Sequence, residues 1–410
     1  MRRRHAPRTL LLAAGLGAVV ALTLLPGDLP WQAMGYAGCL ACGEMRTLDA
    51  VQNLLLFIPV GVLLTWLLRG AARAVAAAAV LSLTIELLQL LVPGRDASVI
   101  DVVMNSAGAA IGAFLVGWRR FSDHPKPVGV WWAVTAALFW GVVAATAVLV
   151  RPAALPQGLP LYGQWAPRRD SFDPFRGRVI SLDVGGIPAP HLLIPDQMGI
   201  RRAWESGAPA RLELAAPPAG SRPVLDARVV AVDDEVFMIA EQAGRWLFRP
   251  RLVASDLGLR PVMFAALGTT GRPEQVVIEA AVNRREMVVH VASGGAETRS
   301  QLPLDVTLGW ALILPAEVGL GEWRYAVSAA WVALLVFPAA FVSSPVAGRV
   351  RVAVSSGLAA CVVGVGLGVV PALLGSPPTH WTGWAGGAAG VAAGWALAFR
   401  DARGRAESRT

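Results

Sequence analysis

Apolar residues in this chain come in two groups of long runs, separated by a stretch with a different rhythm. Five runs precede residue 151: Thr9–Leu25, Val51–Leu68, Arg73–Val92, Val99–Trp118 and Val128–Val150. Three follow residue 320: Tyr325–Val342, Val352–Leu374 and His380–Phe399. Each is of the length that carries a helix across a bilayer. Between the groups no run is long enough to span. Short segments there alternate apolar and polar residues and are divided by Gly, Pro and Asp/Asn turns: RVISLDV, ARLELAA, ARVVAV, EVFMIAE, QVVIEAAV and EMVVHVA. Period-two alternation at that spacing predicts antiparallel strands in a sandwich, with hairpin turns at VDDE (232–235) and VNRREM (282–287). The expected fold is a polytopic α-helical membrane protein of about eight transmembrane helices with one extracytoplasmic antiparallel β-sandwich. Its parts are a five-helix membrane domain (1–150), the β-sandwich (151–320), a three-helix membrane region (321–400) and a tail (401–410).

Small residues inside the runs add detail. Pro59 and Gly61 suit a kinked or closely packed second span, and Gly108 and Gly112 are spaced for close helix packing. The His380–Phe399 run is rich in Gly and Ala, which also suits tight packing.

Composition agrees with a membrane protein: 55% of residues are hydrophobic and 16% charged, and mean hydropathy is +0.54. The net charge of +8 does not point to nucleic acid, because the excess basic residues flank the apolar runs. With eight spans, one set of connections holds Arg2, Arg3, Arg4, Arg8, Arg69, Arg73, Arg119, Arg120, Lys126, Arg349, Arg351, Arg400, Arg403, Arg405 and Arg409, whereas the short connections opposite hold only Arg46 and Arg95. The positive-inside rule then puts both termini in the cytoplasm and the β domain outside. The expected location is the cytoplasmic membrane of a bacterium, and the bilayer is the first partner.

Polar residues within the runs mark the candidate chemistry. Glu86 and Gln89 share one face of the third run, at i and i+3. Asp101 and Asn105 share a face of the fourth, and Asp49 and Asn53 a face at the start of the second, both at i and i+4. Arg95 and Asp96 lie in the turn between the third and fourth runs. At ~1.5 Å per residue, all of these fall within roughly 10 Å of the outer helix ends. Charges in a membrane segment are costly and call for a partner or a function. One reading is a structural polar knot. The other is a pocket in which Glu86 and Asp101 are the catalytic candidates, Asp49, Asn53, Gln89, Arg95 and Asn105 bind ligand, and Arg95 takes an anionic group such as phosphate. The carboxylates suit acid–base work or a divalent cation equally. No dedicated metal or cofactor motif is present, and an enzymatic role stays open.

Several of these stretches together carry a resemblance. DAVQNLLLFIPVGVLL, SLTIELLQLLVPGRDASVIDVVMNSAGAAIG and the preceding CLAC resemble the VanZ-like family of bacterial membrane proteins, over about Pro26 to Trp118. N-x-x-x-F-x-P-x-G, I-E-x-x-Q, a G-R turn and D-x-x-x-N occur in the family's order. The resemblance implies a polytopic membrane protein linked, in the founding member, to resistance to glycopeptides such as teicoplanin, and it carries the polar positions above. The implied function is a protein that binds or modifies an envelope lipid or cell-wall precursor at the outer leaflet. The alternative is a non-catalytic envelope scaffold whose β domain binds glycan or a partner protein.

The β segment ARVVAVDDEVFMIAEQAGRWLFRPRLVA more weakly resembles concanavalin/laminin-G-like sandwiches, which implies a lectin-like domain. Trp165, Trp204 and Trp246 would then either meet glycan at the surface or fill the core. Asp233, Asp234 and Glu235 read as an acidic turn rather than a calcium loop. Cys39 and Cys42 are expected outside the membrane and suit a local disulfide; Cys361 is expected to pack within its span. His380, beside Trp381 and Trp384, suits an interface anchor.

Overall fold

The computed structural model describes residues 46–407 and Gly17, apart from residues 93–96, 122–127, 168–172, 174, 176, 216–223, 233, 269–273, 315–317 and 344–348. The chain divides into two compact units, residues 1–126 and 127–410. The first expected span, Arg95, Asp96 and the pair Cys39 and Cys42 lie outside the described residues.

Three helices form the described part of the first unit: α1 (Arg46–Leu68), α2 (Ala71–Gln89) and α3 (Val99–Phe121). Phe57, Val60, Leu64, Ala74, Ala78, Ile85 and Ala109 make its buried core. The outward positions are equally apolar: Leu55, Val80, Leu83, Leu87, Leu91, Val103 and Phe114 are exposed. Ser82, Glu86, Gln89 and Asn105 face inward, while apolar side chains face both ways, as a hydrocarbon surrounding allows. Glycine sets how close α1 and α3 come. A Cβ at Gly108 would sit 2.1 Å from the Leu54 carbonyl oxygen, and one at Gly112 2.1 Å from that of Ile58. The contacts climb in the same direction along both helices, so α1 and α3 run parallel, and α2 runs antiparallel to them.

The second unit opens with α4 (Val128–Leu149), which packs with helices from the far end of the chain. These are α7 (Arg324–Val342), α8 (Arg349–Gly364), a π-helical turn (Val365–Val369) continuing into α9 (Val370–Leu373), and α10 (Trp381–Glu407). Trp132, Phe139 and Val143 of α4 share a core with Val332, Val336, Val362 and Leu367. The Trp132 indole N–H donates to Ser355 Oγ at 3.2 Å. The α7–α10 contact is also built on glycine: a Cβ at Gly386 would meet the Ala329 carbonyl at 2.1 Å. Among the described residues six helices are long and apolar enough to cross a membrane. The expected final span is helical in α10 but is not one of the six, because Gly and Trp dilute its hydropathy. Cys361, expected to pack within its span, is instead exposed on α8.

The intervening residues form two six-stranded antiparallel sheets, of order β4-β1-β6-β7-β8-β9 and β12-β11-β10-β5-β2-β3. The strands are β1 (Leu161–Trp165), β2 (Arg178–Val184), β3 (Ile187–Pro188), β4 (Leu192–Leu193), β5 (Ala210–Ala215), β6 (Val224–Ala231), β7 (Asp234–Gln242), β8 (Arg245–Pro250), β9 (Phe264–Leu267), β10 (Gln275–Val282), β11 (Glu286–Ser293) and β12 (Ala296–Pro303). The strands expected from alternation are β2, β5, β6, β7, β10 and β11. β10 and β11 turn at Asn283, whose Oδ1 accepts from the N–H groups of Arg285 and Glu286. Trp204 and Trp246 are buried, so they pack the interior rather than meet a surface glycan. Trp204 stacks on Phe237 with centroids 4.8 Å apart. The acidic turn is held by arginine: Arg249 donates to Glu235 at 2.8 Å, and Arg251 pairs with Asp234 at 3.2 Å.

Two further carboxylates mark this domain. Asp196 caps the short helix α5 (Gln197–Glu205), its Oδ1 accepting from Gly199 N at 2.8 Å; a one-turn helix, α6 (Val253–Asp256), follows β8. Asp196→Ala is expected to cost about 1 kcal/mol, read as a small drop in thermal stability of the purified chain; an unchanged midpoint would mean the cap carries no weight. Asp226 sits at a bulge in β6, where the register with β7 shifts between Leu225 and Ala227. It is fully buried, and neither carboxylate oxygen has a hydrogen-bond partner among the described residues. Burial first, and the negative charge of Glu241 second, push its carboxyl well above the usual range.

Candidate functional site

Ser82, Glu86 and Gln89 follow one face of α2, and all three are buried. α3 starts just after Ser98 and presents Asp101 and, one turn on, Asn105. α1 carries Asp49 in its first turn, with Asn53 one turn deeper. The parallel course of α1 and α3 therefore brings two starting turns to the same end as the close of α2.

Specific bonds join these faces. Glu86 Oε2 accepts from Ser98 N at 2.8 Å, tying the last turn of α2 to the start of α3. The Asn105 amide donates to Ser82 Oγ at 2.9 Å, one turn deeper between the same helices. Asp101 takes a hydrogen bond from the Asn53 side chain, linking α3 to α1, and lies within electrostatic reach of both Asp49 and Glu86. Burial rises inward. Asp49 is exposed and Asn53 and Asp101 are half-buried, whereas Glu86 is 6% and Asn105 2% exposed. Among the described residues, Asp101 Oδ1, Asn105 Oδ1 and Ser98 Oγ are without a hydrogen-bond partner.

Asp49, Asn53, Glu86, Gln89, Asp101 and Asn105 thus all lie at one end of the three-helix unit, whereas Arg95 falls outside the described residues. Ser82 and Ser98 belong to the cluster although the sequence reading did not select them. The signal for Ser82 was its i, i+4 spacing to Glu86. Ser98 contributes through its backbone N–H, which any residue but proline supplies. The cluster is rich in acceptors and carries adjacent negative charges. Among the described residues, no group of three or more His, Cys, Asp or Glu side chains is placed to hold a metal ion.

A second polar group lies in the other unit. Asp305 Oδ1 accepts from Thr307 N and Oγ1, and its Oδ2 accepts from His380 N at 3.3 Å. The His380 ring stacks on Tyr325 with centroids 4.2 Å apart, and Trp381 is exposed beside it. Both Asp305 oxygens are engaged in this staple between elements.

Residues 13–120 match the family model described as VanZ/LLP1. No curated protein and no solved structure matches the chain. The matched region contains α1, α2 and nearly all of α3, and so every residue of the three-helix cluster. The two β-sheets and helices α4 to α10 lie beyond it.

Proposed function

We propose that this membrane protein, through its VanZ-like domain, binds or modifies a polar group of an envelope lipid or cell-wall precursor at the outer leaflet. The observation that carries this reading is the set of acids and amides from three helices around buried acceptors that have no hydrogen-bond partner among the described residues. A purely structural knot would satisfy its own members, because each unpaired buried acceptor costs roughly 1–3 kcal/mol. Glu86 and Asp101 are the groups for acid–base work, with Asp49, Asn53, Gln89 and Asn105 in support and Arg95 for an anionic part of the ligand. The asymmetric basic connections favour both termini in the cytoplasm, the cluster at the outer leaflet and the β domain outside. That location suits a link to glycopeptide antibiotic resistance, whose targets lie in the envelope.

The bond between Glu86 and Ser98 favours the second reading, a scaffold in which the cluster locks the helices and the β domain engages glycan or a partner protein. Glu86→Gln separates the two. Glutamine keeps an oxygen to accept from Ser98 N but removes the charge. For a binding site, thermal stability stays within about 1 kcal/mol of the parent, while protection of cells against a glycopeptide antibiotic is lost. For a scaffold, stability and protection fall together. A reporter fused within residues 151–320 that is active only in the cytosol would end the outer-leaflet assignment.

A further inference from the structure

The unsatisfied atoms of the cluster have a chemical bias. Ser98 N is taken by Glu86 and the Asn105 amide N–H by Ser82. Among the described residues, Asp101 Oδ1, Asn105 Oδ1 and the Ser98 hydroxyl have no hydrogen-bond partner. Asn105 is 2% exposed, so bulk water does not repair the deficit. The charges lean the same way: Glu86 and Asp101 feel each other's field, and no Arg or Lys of the described residues pairs with either. The positive end of the α3 dipole is already met by Asp101 in its first turn. An anion approaching this cluster meets like charge. A cation with several N–H donors meets what is missing.

We propose that the cluster is the receptor for a primary ammonium group, carried by a lipid head group or by a small soluble amine. The inference rests on the binding reading above and adds the charge and donor class of the ligand. An ammonium carries three donors and no acceptor, which suits Asp101 Oδ1, Asn105 Oδ1 and one further oxygen. A quaternary ammonium has the charge without the N–H bonds and leaves the acceptors unmet. The entry side is the exposed Asp49, from which half-buried Asp101 leads to buried Asn105. The topology proposed above puts that end of the helices at head-group depth.

The test uses the full chain in nanodiscs of phosphatidylcholine, doped separately with phosphatidylethanolamine or phosphatidylglycerol, with bound lipid counted by native mass spectrometry and thermal midpoints recorded. Soluble ethanolamine is titrated in parallel. Phosphatidylethanolamine is expected to be retained over phosphatidylcholine and to raise the midpoint. Asp101→Asn should weaken retention by ~10–100-fold, the effect of losing one charge-assisted hydrogen bond. Asp49→Asn, at the exposed rim, gives a second and milder variant should Asp101→Asn fail to fold. A response to ethanolamine alone supports the ammonium chemistry with a soluble source. Retention of phosphatidylglycerol instead, lost in the same variants, overturns the ammonium assignment and leaves a lipid site standing. Phosphatidylethanolamine retained equally by parent and variants overturns the assignment as annular binding. No discrimination by any probe overturns both the ammonium assignment and the binding reading beneath it.

Discussion

Gly108→Val is expected to force α1 away from α3 and to destabilise the first unit by about 3 kcal/mol or more. The added Cβ would lie 2.1 Å from the Leu54 carbonyl oxygen, with Leu54 C and Cα at 3.0 and 3.2 Å. Backbone on both sides means that no rotamer change relieves the clash. The helices must separate, and dispersion and close packing are what hold helices together in lipid, where apolar burial between them gains little. Gly117→Val is the matched control. It lies on the same helix with nothing within 4 Å of its Cβ position, so it should change stability by less than about 0.5 kcal/mol. Thermal unfolding of both variants in detergent decides the matter, and equal midpoints would refute it. The loss should reach the cluster too, because the Asn53–Asp101 hydrogen bond spans this same helix pair.

The second large effect depends on pH. Asp226 is fully buried beside Glu241 and holds its proton far more tightly in the folded chain than in the unfolded one. The folded state therefore binds the extra proton, and the stability this group contributes is complete below the unfolded value of about 3.9. It is lost as pH rises toward and through the raised folded value. The parent protein should lose stability between pH 5 and pH 8 through this residue. Asp226→Asn removes the ionisation but keeps the shape. It is expected to be more stable than the parent by about 1–3 kcal/mol at pH 8 and to show a flatter profile. The groups facing Asp226 include Glu241 on β7, whose Oε1 accepts from Gly244 N. Parallel profiles for parent and variant, measured by thermal unfolding across that range, would remove Asp226 as the cause.

Much of the architecture was legible because hydrocarbon imposes simple rules. Runs such as Val51–Leu68 and Val128–Val150 have one stable outcome in lipid, and the Gly108 to Gly112 spacing announced a close helix contact. In the β region, strands with clean alternation, such as Arg178–Val184 and Gln275–Val282, were readable at nearly their observed limits. Others carried no such signal. β12, AETRSQLP, is a polar edge strand whose outward residues hide the period. β4 is only two residues, both exposed, and its pairing comes from tertiary context rather than propensity. The grouping of α4 with the C-terminal helices was equally hidden, since it rests on contacts such as Trp132 to Ser355, more than two hundred residues apart. At the cluster, acids and amides stood out against an apolar background, whereas Ser82 and Ser98 did not. Serine is common in membrane helices, and backbone donors leave no mark in a sequence.

The partition between residues 126 and 127 has an evolutionary corollary. The Phe57 cluster lies wholly before it and the Trp132 cluster wholly after it. A recombination event at that junction severs neither interior, so a gene encoding the first segment can acquire or shed the second as a cassette. Co-expression of the chain as two polypeptides split there should accordingly yield both halves intact.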